Sequence, residues 1–498
     1  MQKHFRGIVG LALASLGGAE ALDAAPWAMA GDVRLRHEIQ LLKDEDLIDG
    51  MVMTWPYNWG DLYYNLQGID VTHTEYDFLV EPLLQRVSEE SRLGYRQLQA
   101  FMYAGSESQP FRSFYSRQRE EFEAGIQASS MGKYHIFNFR GTYAANATDG
   151  RDFRLDGSYV GLALGNWTFS LDQIDRWWGP GWEGSLILSN NARPFPAISL
   201  TRNVSYPFDL PVLKWFGNWT FSSFMGQLDD ERAIPNAYFW GMRAEVQPFD
   251  ALSLGFSRTA QWGGDGRPSG LGTFLDVLTG RDNIDENLSL AEEPGNQLAG
   301  FDWRLKPLKS IPLATYGQMI GEDGGGIMPT KYMFLGGLET WGANFVLPNS
   351  TWRLHVEYAD TAARYHITSG PDDVYGAAYN HHTYKTGYRY RGLSMGHAMD
   401  GDGDMLSLGG LLCEENGRYW GFLLRRTSLN RHEDPAYADT HSVIREAADV
   451  DSIEVFGGFE IWDNFTIEWS AAYMDLDDAP IIGVSSEIQA SLGIIYTY

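Results

Sequence analysis

Three tryptophans stand within six residues, Trp177, Trp178 and Trp182, with Arg176 before them and Arg193 after. Indole faces can take the C–H face of a ring, and a guanidinium fork matches a carboxylate in two parallel hydrogen bonds. The competing reading is packing. Interleaved glycine and proline shape turns, and for any one of these aromatics a packing or belt role is the commoner one. Tyr388-Arg389-Tyr390-Arg391 repeats the combination, with one phase aromatic and the other basic. Its competing reading is an ordinary strand-like segment. Asp400-x-Asp402-x-Asp404 has the spacing of the first ligands of a calcium loop. An EF-hand then needs glycine at its sixth position and glutamate at its twelfth, where this chain has Met405 and Leu411. What remains is a different acidic site or plain Asp/Gly turn chemistry. His381, His382 and His397 match no common zinc spacing.

These groups have to be positioned, and the end of the chain indicates by what. Leu492, Ile494, Tyr496 and Tyr498 alternate with Ser491, Gly493, Ile495 and Thr497. Period 2 is a strand with two chemically different faces. An alternating strand with a terminal aromatic looks like the end of a bacterial outer-membrane β-barrel, one face to lipid and one to a polar lumen. The N-terminus agrees: a basic start at Lys3, His4 and Arg6, an apolar run Gly7–Leu16, then Ala19-Glu20-Ala21. That reads as a secretory signal peptide over residues 1–21, with cleavage after Ala24 as the other option. Aromatics form 14% of the chain and Gly is abundant, yet the charged fraction is 21%, a mix that a membrane barrel produces. The formal net charge of −27 argues against nucleic acid as a partner. Cys413 has no second cysteine and reads as a small buried residue.

Residues 22–93 read as a helical bundle or plug. Asp32 can cap a helix with Leu35, Ile39 and Leu42 on one face. Tyr76, Leu79, Val80, Leu83, Leu84 and Val87 form a second helical face, with Thr72 and Glu75 as a capping box. Pro82 inside it predicts a kink or break. From about Tyr95 the period switches to 2, so residues 94–498 read as barrel. Trp352, Leu354, Val356 and Tyr358 oppose Arg353, His355 and Glu357. Similar alternation runs through Tyr134–Ala144, Phe239–Gln247 and Asn464–Tyr473. Short links such as Gly165, Glu415–Gly417 and Asp463 alternate with long ones such as Gln173–Pro196 and Thr361–Gly403. Spanning-length rules then give about 18 antiparallel strands with both chain ends on the short-link side. Glu245, Arg353, His355, Glu357 and Glu468 fall in the lumen phase. They could be combined into an acid–base pair, but unpaired charge away from water is costly, which favours paired internal ties. No Gly-x-Ser-x-Gly elbow is present. The chain reads as a non-enzyme without a cofactor.

The run from Trp177-Trp178-Gly179-Pro180-Gly181-Trp182 through Asn190-Asn191-Ala192-Arg193-Pro194-Phe195-Pro196 resembles the signature segment of the capsule-assembly Wzi family. Pro26-Trp27, Gly31-Asp32, Thr54-Trp55-Pro56, Trp59-Gly60-Asp61, and Gly396-His397 with Asp400-Gly401-Asp402 are similar to that family too. The resemblance implies an 18-stranded outer-membrane barrel, a periplasmic helical bundle across its mouth, and a lectin-like role. In that role the protein binds and organises or anchors capsular polysaccharide at the cell surface and is no export channel. Arg176, Trp177, Trp178, Trp182, Arg193, Tyr388, Arg389, Tyr390 and Arg391 then become candidate sugar contacts. Asp400, Asp402 and Asp404 remain the weak metal candidates. Expected partners are an acidic capsular polysaccharide, outer-membrane lipid and lipopolysaccharide, and the barrel-insertion machinery, with the protein a monomer and its loops extracellular. The rival reading is a porin-like or substrate-specific channel.

Overall fold

The computed structural model describes residues 26–67, 69, 76–279, 295–322, 331–364, 374–432, 439–462, 464–476 and 481–498. The leader segment and the Thr72/Glu75 capping box lie outside these residues.

Eighteen antiparallel strands close into one barrel between Arg96 and Thr497. Consecutive strands are neighbours throughout, and the last strand, Ile488–Thr497, pairs back onto the first, Arg96–Gly105, with Ile494 opposite Met102. Closure removes both sheet edges, which a lipid environment requires. Burial along the strands is inverted relative to a water-soluble sheet. In Ser350–Arg364, Leu354, Val356 and Tyr358 are exposed while Arg353, His355 and Glu357 are buried. The apolar phase therefore faces outward, where a membrane barrel meets lipid, and the charged phase faces a filled lumen. Cys413 is buried, as its surroundings suggested. Among the described residues no helix is long and apolar enough to cross a membrane.

The connections sort into two ends. Residues 132–134, 165–166, 250–251, 344–349 and 415–418 turn tightly at one end, where the last strand also finishes. Residues 174–196 and the described parts of the links 263–294, 365–403 and 430–447 lie at the other. One short-end link is long: residues 203–217, which carry a 3-10 turn at Leu213–Phe216.

The helix Val33–Asp44 is capped by Asp32, whose carboxylate accepts the Leu35 N–H at 3.0 Å. Leu35, Ile39 and Leu42 are buried, but so are Arg36, His37, Gln40, Lys43 and Asp44 on the remaining faces. The helix sits inside the barrel near the short turns, with lumen side chains as partners. His37 meets the Thr351 hydroxyl at 3.0 Å, and Lys43 donates to Ser253 at 2.9 Å. The helices Trp59–Leu66 and Asp77–Glu90 pack on each other. Leu79, Val80, Leu83 and Val87 supply the buried face of the second of these. Of the kink or break expected at Pro82, the break does not occur, and the helix runs continuously through it. Pro82 is exposed, and the Phe78 carbonyl it leaves unpaired lies on a residue that is only partly buried. Water can satisfy it while the apolar stripe holds the helix in place.

Candidate functional site

The Trp-rich loop enters the lumen. Residues 174–195 are buried along almost their whole length. Trp177 and Trp178 are both 0% exposed and pair as a short antiparallel ladder with Trp55 and Thr54. The Trp177 indole packs edge-on against Phe114, and Trp178 lies against Phe224. Arg36 stacks its guanidinium 4.0 Å from the Trp182 ring centroid and donates to the Gly181 and Pro180 carbonyls at 2.9 and 2.7 Å. Arg176 is held by Asp172 at 2.6 Å and by the Ser199 hydroxyl at 2.8 Å. Strand residues hold the loop from the wall. The Glu357 carboxylate accepts the N–H groups of Trp182, Glu183 and Gly184, at 2.7, 3.2 and 3.1 Å, and the Tyr316 hydroxyl at 2.9 Å. Gln318 both donates to the Trp178 carbonyl and accepts the Leu186 N–H, each at 2.7 Å.

Tyr388–Arg391 belongs to the same interlocked mass. Arg389–Tyr390 pairs with Leu393–Ser394 in a tight hairpin. The Tyr388 hydroxyl donates to the Ile187 carbonyl at 2.8 Å, and Tyr390 meets Phe195 edge-on. Arg389 makes a two-pronged contact with Asp400, 2.7 Å on each arm. Asp402 accepts the Gly376 N–H at 2.7 Å, and Asp404 pairs with Arg431 at 2.8 Å. The three carboxylates thus point to separate partners. Among the described residues no group of three or more His, Cys, Asp or Glu is arranged to hold a metal ion.

Arg193, expected beside a ligand carboxylate, instead meets the protein's own. Its Nε and Nη1 lie 2.7 and 2.5 Å from Asp156 and Asp149. Of the nine sequence candidates, Arg391 alone is more than marginally exposed, and Trp177, Trp178, Tyr388 and Arg389 are deeply buried. All nine belong to the long-end loops that fill the lumen.

A different set of residues surrounds a cavity of about 260 Å³, just below the ~300 Å³ low end for small-ligand sites. It lies between the plug and the strands Arg96–Gly105, Phe122–Met131, His135–Ala145 and Ser158–Leu164. The wall is irregular there. His135–Asn138 pairs with Tyr159–Leu162, but Thr142 and Tyr143 pair with the detached two-residue strand Phe153–Arg154. Across the gap, the Ser158 hydroxyl accepts the Arg140 N–H at 2.9 Å and donates to its carbonyl at 3.1 Å. Arg140 itself reaches into the cavity, over the Phe101 ring at 4.1 Å, with Gln127 its nearest polar contact at 3.5 Å. Trp27 and Tyr159 stand together, ring centroids 4.9 Å apart. Gln97, Gln99, Asn138, Arg119 and Asp175 complete a lining of planar amides, guanidiniums and acids. At the short-turn end, burial alone would raise the Asp32 carboxyl, but Arg86 at 2.6 Å and the charge of Arg117 bring it down to about 2. The lumen phase of Asn138, Arg140 and Thr142 was legible as alternation. Their convergence with Trp27 and Arg86 from the helical segment was not.

The interlocked loops at the long-loop end carry a titratable residue. His397 is fully buried, its Nδ1 accepting the Met399 N–H at 3.3 Å, and its ring packs directly on Gly184. Burial, with the charge of Arg425 beside it, pushes the imidazole down from its ordinary 6.5 to about 4. The folded state thus holds the neutral ring. Its contribution to stability is complete above 6.5 and is lost as pH falls toward 4, up to about 3 kcal/mol. The expected result is an acid-side fall in thermal midpoint that is larger in the wild type than in His397→Asn. Parallel curves would remove His397 from this role.

An eighteen-stranded closed barrel with an apolar exterior and a lumen filled by its own N-terminal helix and loops is a plugged outer-membrane β-barrel. The chain belongs to the capsule assembly protein Wzi family, whose model matches residues 96–475. It is 29% identical to an uncharacterised 55.8 kDa protein in the cps region of Klebsiella pneumoniae, over 99% of this chain and 94% of that protein. Its fold is similar to that of Wzi of Escherichia coli, with a TM-score of 0.80 and 26% identity, covering 94% of this chain and 99% of the other. That protein is described as an outer-membrane, carbohydrate-binding β-barrel involved in group 1 capsule assembly.

Proposed function

We propose that this protein binds capsular polysaccharide directly and holds it at the cell surface, with the long-loop end outward and both chain ends periplasmic. The observation that carries the reading is the whole-chain likeness to a carbohydrate-binding capsule-assembly barrel, at a TM-score of 0.80. The filled lumen supports a binding role over a conducting one, because strand side chains tie to the N-terminal helix and to the Trp-rich loop across its interior. The 260 Å³ cavity, which runs inside the barrel toward the short-turn end, would offer a sugar segment that reaches in beside the plug amides and guanidiniums for hydroxyls and carboxylates, and Trp27 and Tyr159 for ring faces. In this reading the buried tryptophans act by fixing the loop end from below rather than by touching sugar. Each sugar contact is modest, so retention relies on many repeats of one chain. An acidic polysaccharide is the better fit, with Arg140 as the group for its carboxylate.

The test is capsule retention in cells carrying Arg140→Ala in a barrel that still folds. Expected is a loss of affinity of about tenfold, equal to about 1.4 kcal/mol, seen as capsule shed into the medium. Retention equal to wild type at matched protein levels would move the ligand away from this cavity.

A further inference from the structure

A second apolar cluster lies on the opposite side of the barrel wall from the plug. It contains Trp240, Ala260, Trp262 and Val277, with Phe274 and Leu278 packed against them. The strand phases fix its side. In Tyr238–Phe249, Arg243 and Glu245 turn to the lumen and bind plug residues, so Trp240 and Met242 turn outward. In Leu252–Trp262, Ser257 and Thr259 bond to lumen groups, so Arg258, Ala260 and Trp262 turn outward. Outward residues elsewhere on the barrel are largely exposed, but Trp240 and Trp262 are 6% and 5% exposed and Ala260 is 0%. What covers them is the helix Leu271–Thr279 of a long loop. Phe274 meets the Trp262 and Trp240 rings at centroid distances of 5.2 and 5.9 Å.

Arg258 explains why the helix stays there. An unpaired arginine on the lipid-facing phase of a membrane barrel is destabilising, most of all near the midplane. Here its Nη2 donates to the Val277 carbonyl at 2.7 Å and its Nη1 to the Leu278 carbonyl at 3.0 Å, with Gln297 taking its Nε at 3.0 Å. Those carbonyls are in the last turn of Leu271–Thr279, the negative end of its dipole, where a cation is favoured. The cation and the helix end satisfy each other. Arg258 lies four positions from Trp262 along the strand, so the last turn reaches about 13 Å down the wall from the loop end.

We infer that Leu271–Thr279 is a lipid-embedded element that contacts the acyl-chain boundary of the outer leaflet through Leu271 and Leu275. Both are on its uncovered face, 74% and 41% exposed. The occupant follows from continuity: the outward residues Phe256 and Phe301 of adjoining strands are exposed on the same lipid-facing surface. Asp276 and Thr279 flank the leucines, the mixed face of a helix lying at a headgroup boundary rather than in the hydrocarbon centre. The choice of outer leaflet rests on the orientation proposed above. Lipid contact itself does not, because the vesicle test below reads either leaflet.

Cys413 is buried in the wall, which leaves introduced cysteines free for labelling. Leu271→Cys and Leu275→Cys, each carrying a polarity-sensitive fluorophore, are placed in phosphatidylcholine vesicles with or without brominated acyl chains. Glu231→Cys in an exposed loop is the water-facing reference. Expected is strong quenching by brominated lipid at both helix positions and several-fold weaker iodide quenching than at the reference. Arg258→Met, which places an apolar side chain on the lipid face and leaves the barrel able to fold, is expected to shift the Leu275 label toward iodide. Iodide quenching equal to the reference, with no effect of bromine, overturns the inference. Shielding from both quenchers also overturns it, because a protein surface would then cover the helix. An Arg258→Met protein with unchanged quenching would show that the arginine does not hold the helix.

Discussion

Arg353→Ala is expected to loosen the plug and to open a conducting path that the wild type lacks. Arg353 donates to Glu339 at 2.8 Å, to Asp44 at 3.0 Å and to the His37 Nδ1 at 3.2 Å. Arg304 grips the same two carboxylates from the next side, at 2.6 Å to each. Asp44 belongs to the plug helix, while Glu339, Arg304 and Arg353 belong to the wall. Removing one guanidinium leaves two carboxylates sharing the other in a buried site, a loss of about 3–5 kcal/mol. Arg353→Lys is expected to recover only part of it, because a point charge cannot reach all three acceptors. The measurements are the denaturation midpoint and conductance in planar bilayers. A wild type that conducts steadily would return the channel reading, and a silent Arg353→Ala protein with unchanged midpoint would show that these pairs do not hold the plug.

Much of the barrel was legible because its physics is local and periodic. Leu354, Val356 and Tyr358 against Arg353, His355 and Glu357 is a pattern of two faces, and the structure assigns the apolar face outward. Short links such as Gly165 and Glu415–Gly417 fell where that period breaks off. Asp32 capped its helix as its residue type suggested. The interior was harder. Arg36, Trp182, Glu357 and Tyr316 converge from four separated stretches of chain, and no spacing rule brings them together. Composition marked Trp177 and Trp178 as unusual but could not say which way they face, since a flat aromatic suits a sugar ring and a packed interior equally. The helix on the outer wall was invisible for the same reason. Nothing in Leu271–Thr279 says that its last carbonyls meet Arg258.

The tryptophans carry the second large effect. Trp177→Ala with Trp178→Ala removes two side chains that are 0% exposed and packed on Phe114 and Phe224. Each truncation costs about 3–5 kcal/mol, and because the two share the same loop the sum is not additive. The expected phenotype is a barrel that still closes, with a lower midpoint, a protease-sensitive loop 174–196 and reduced capsule retention as a consequence. A doubly substituted protein with wild-type midpoint and protease resistance, yet poor retention, would instead place these rings in contact with sugar.

Direct binding is tested most simply on the purified, folded barrel in detergent, titrated with the capsular polysaccharide of its own cell and with unrelated polysaccharides of similar charge and length. Expected is saturable binding to its own capsule, weakened in Arg140→Ala and clearly tighter than to the others. Equal binding to all of them, or none to its own, would contradict a lectin role and leave only a structural part in capsule assembly.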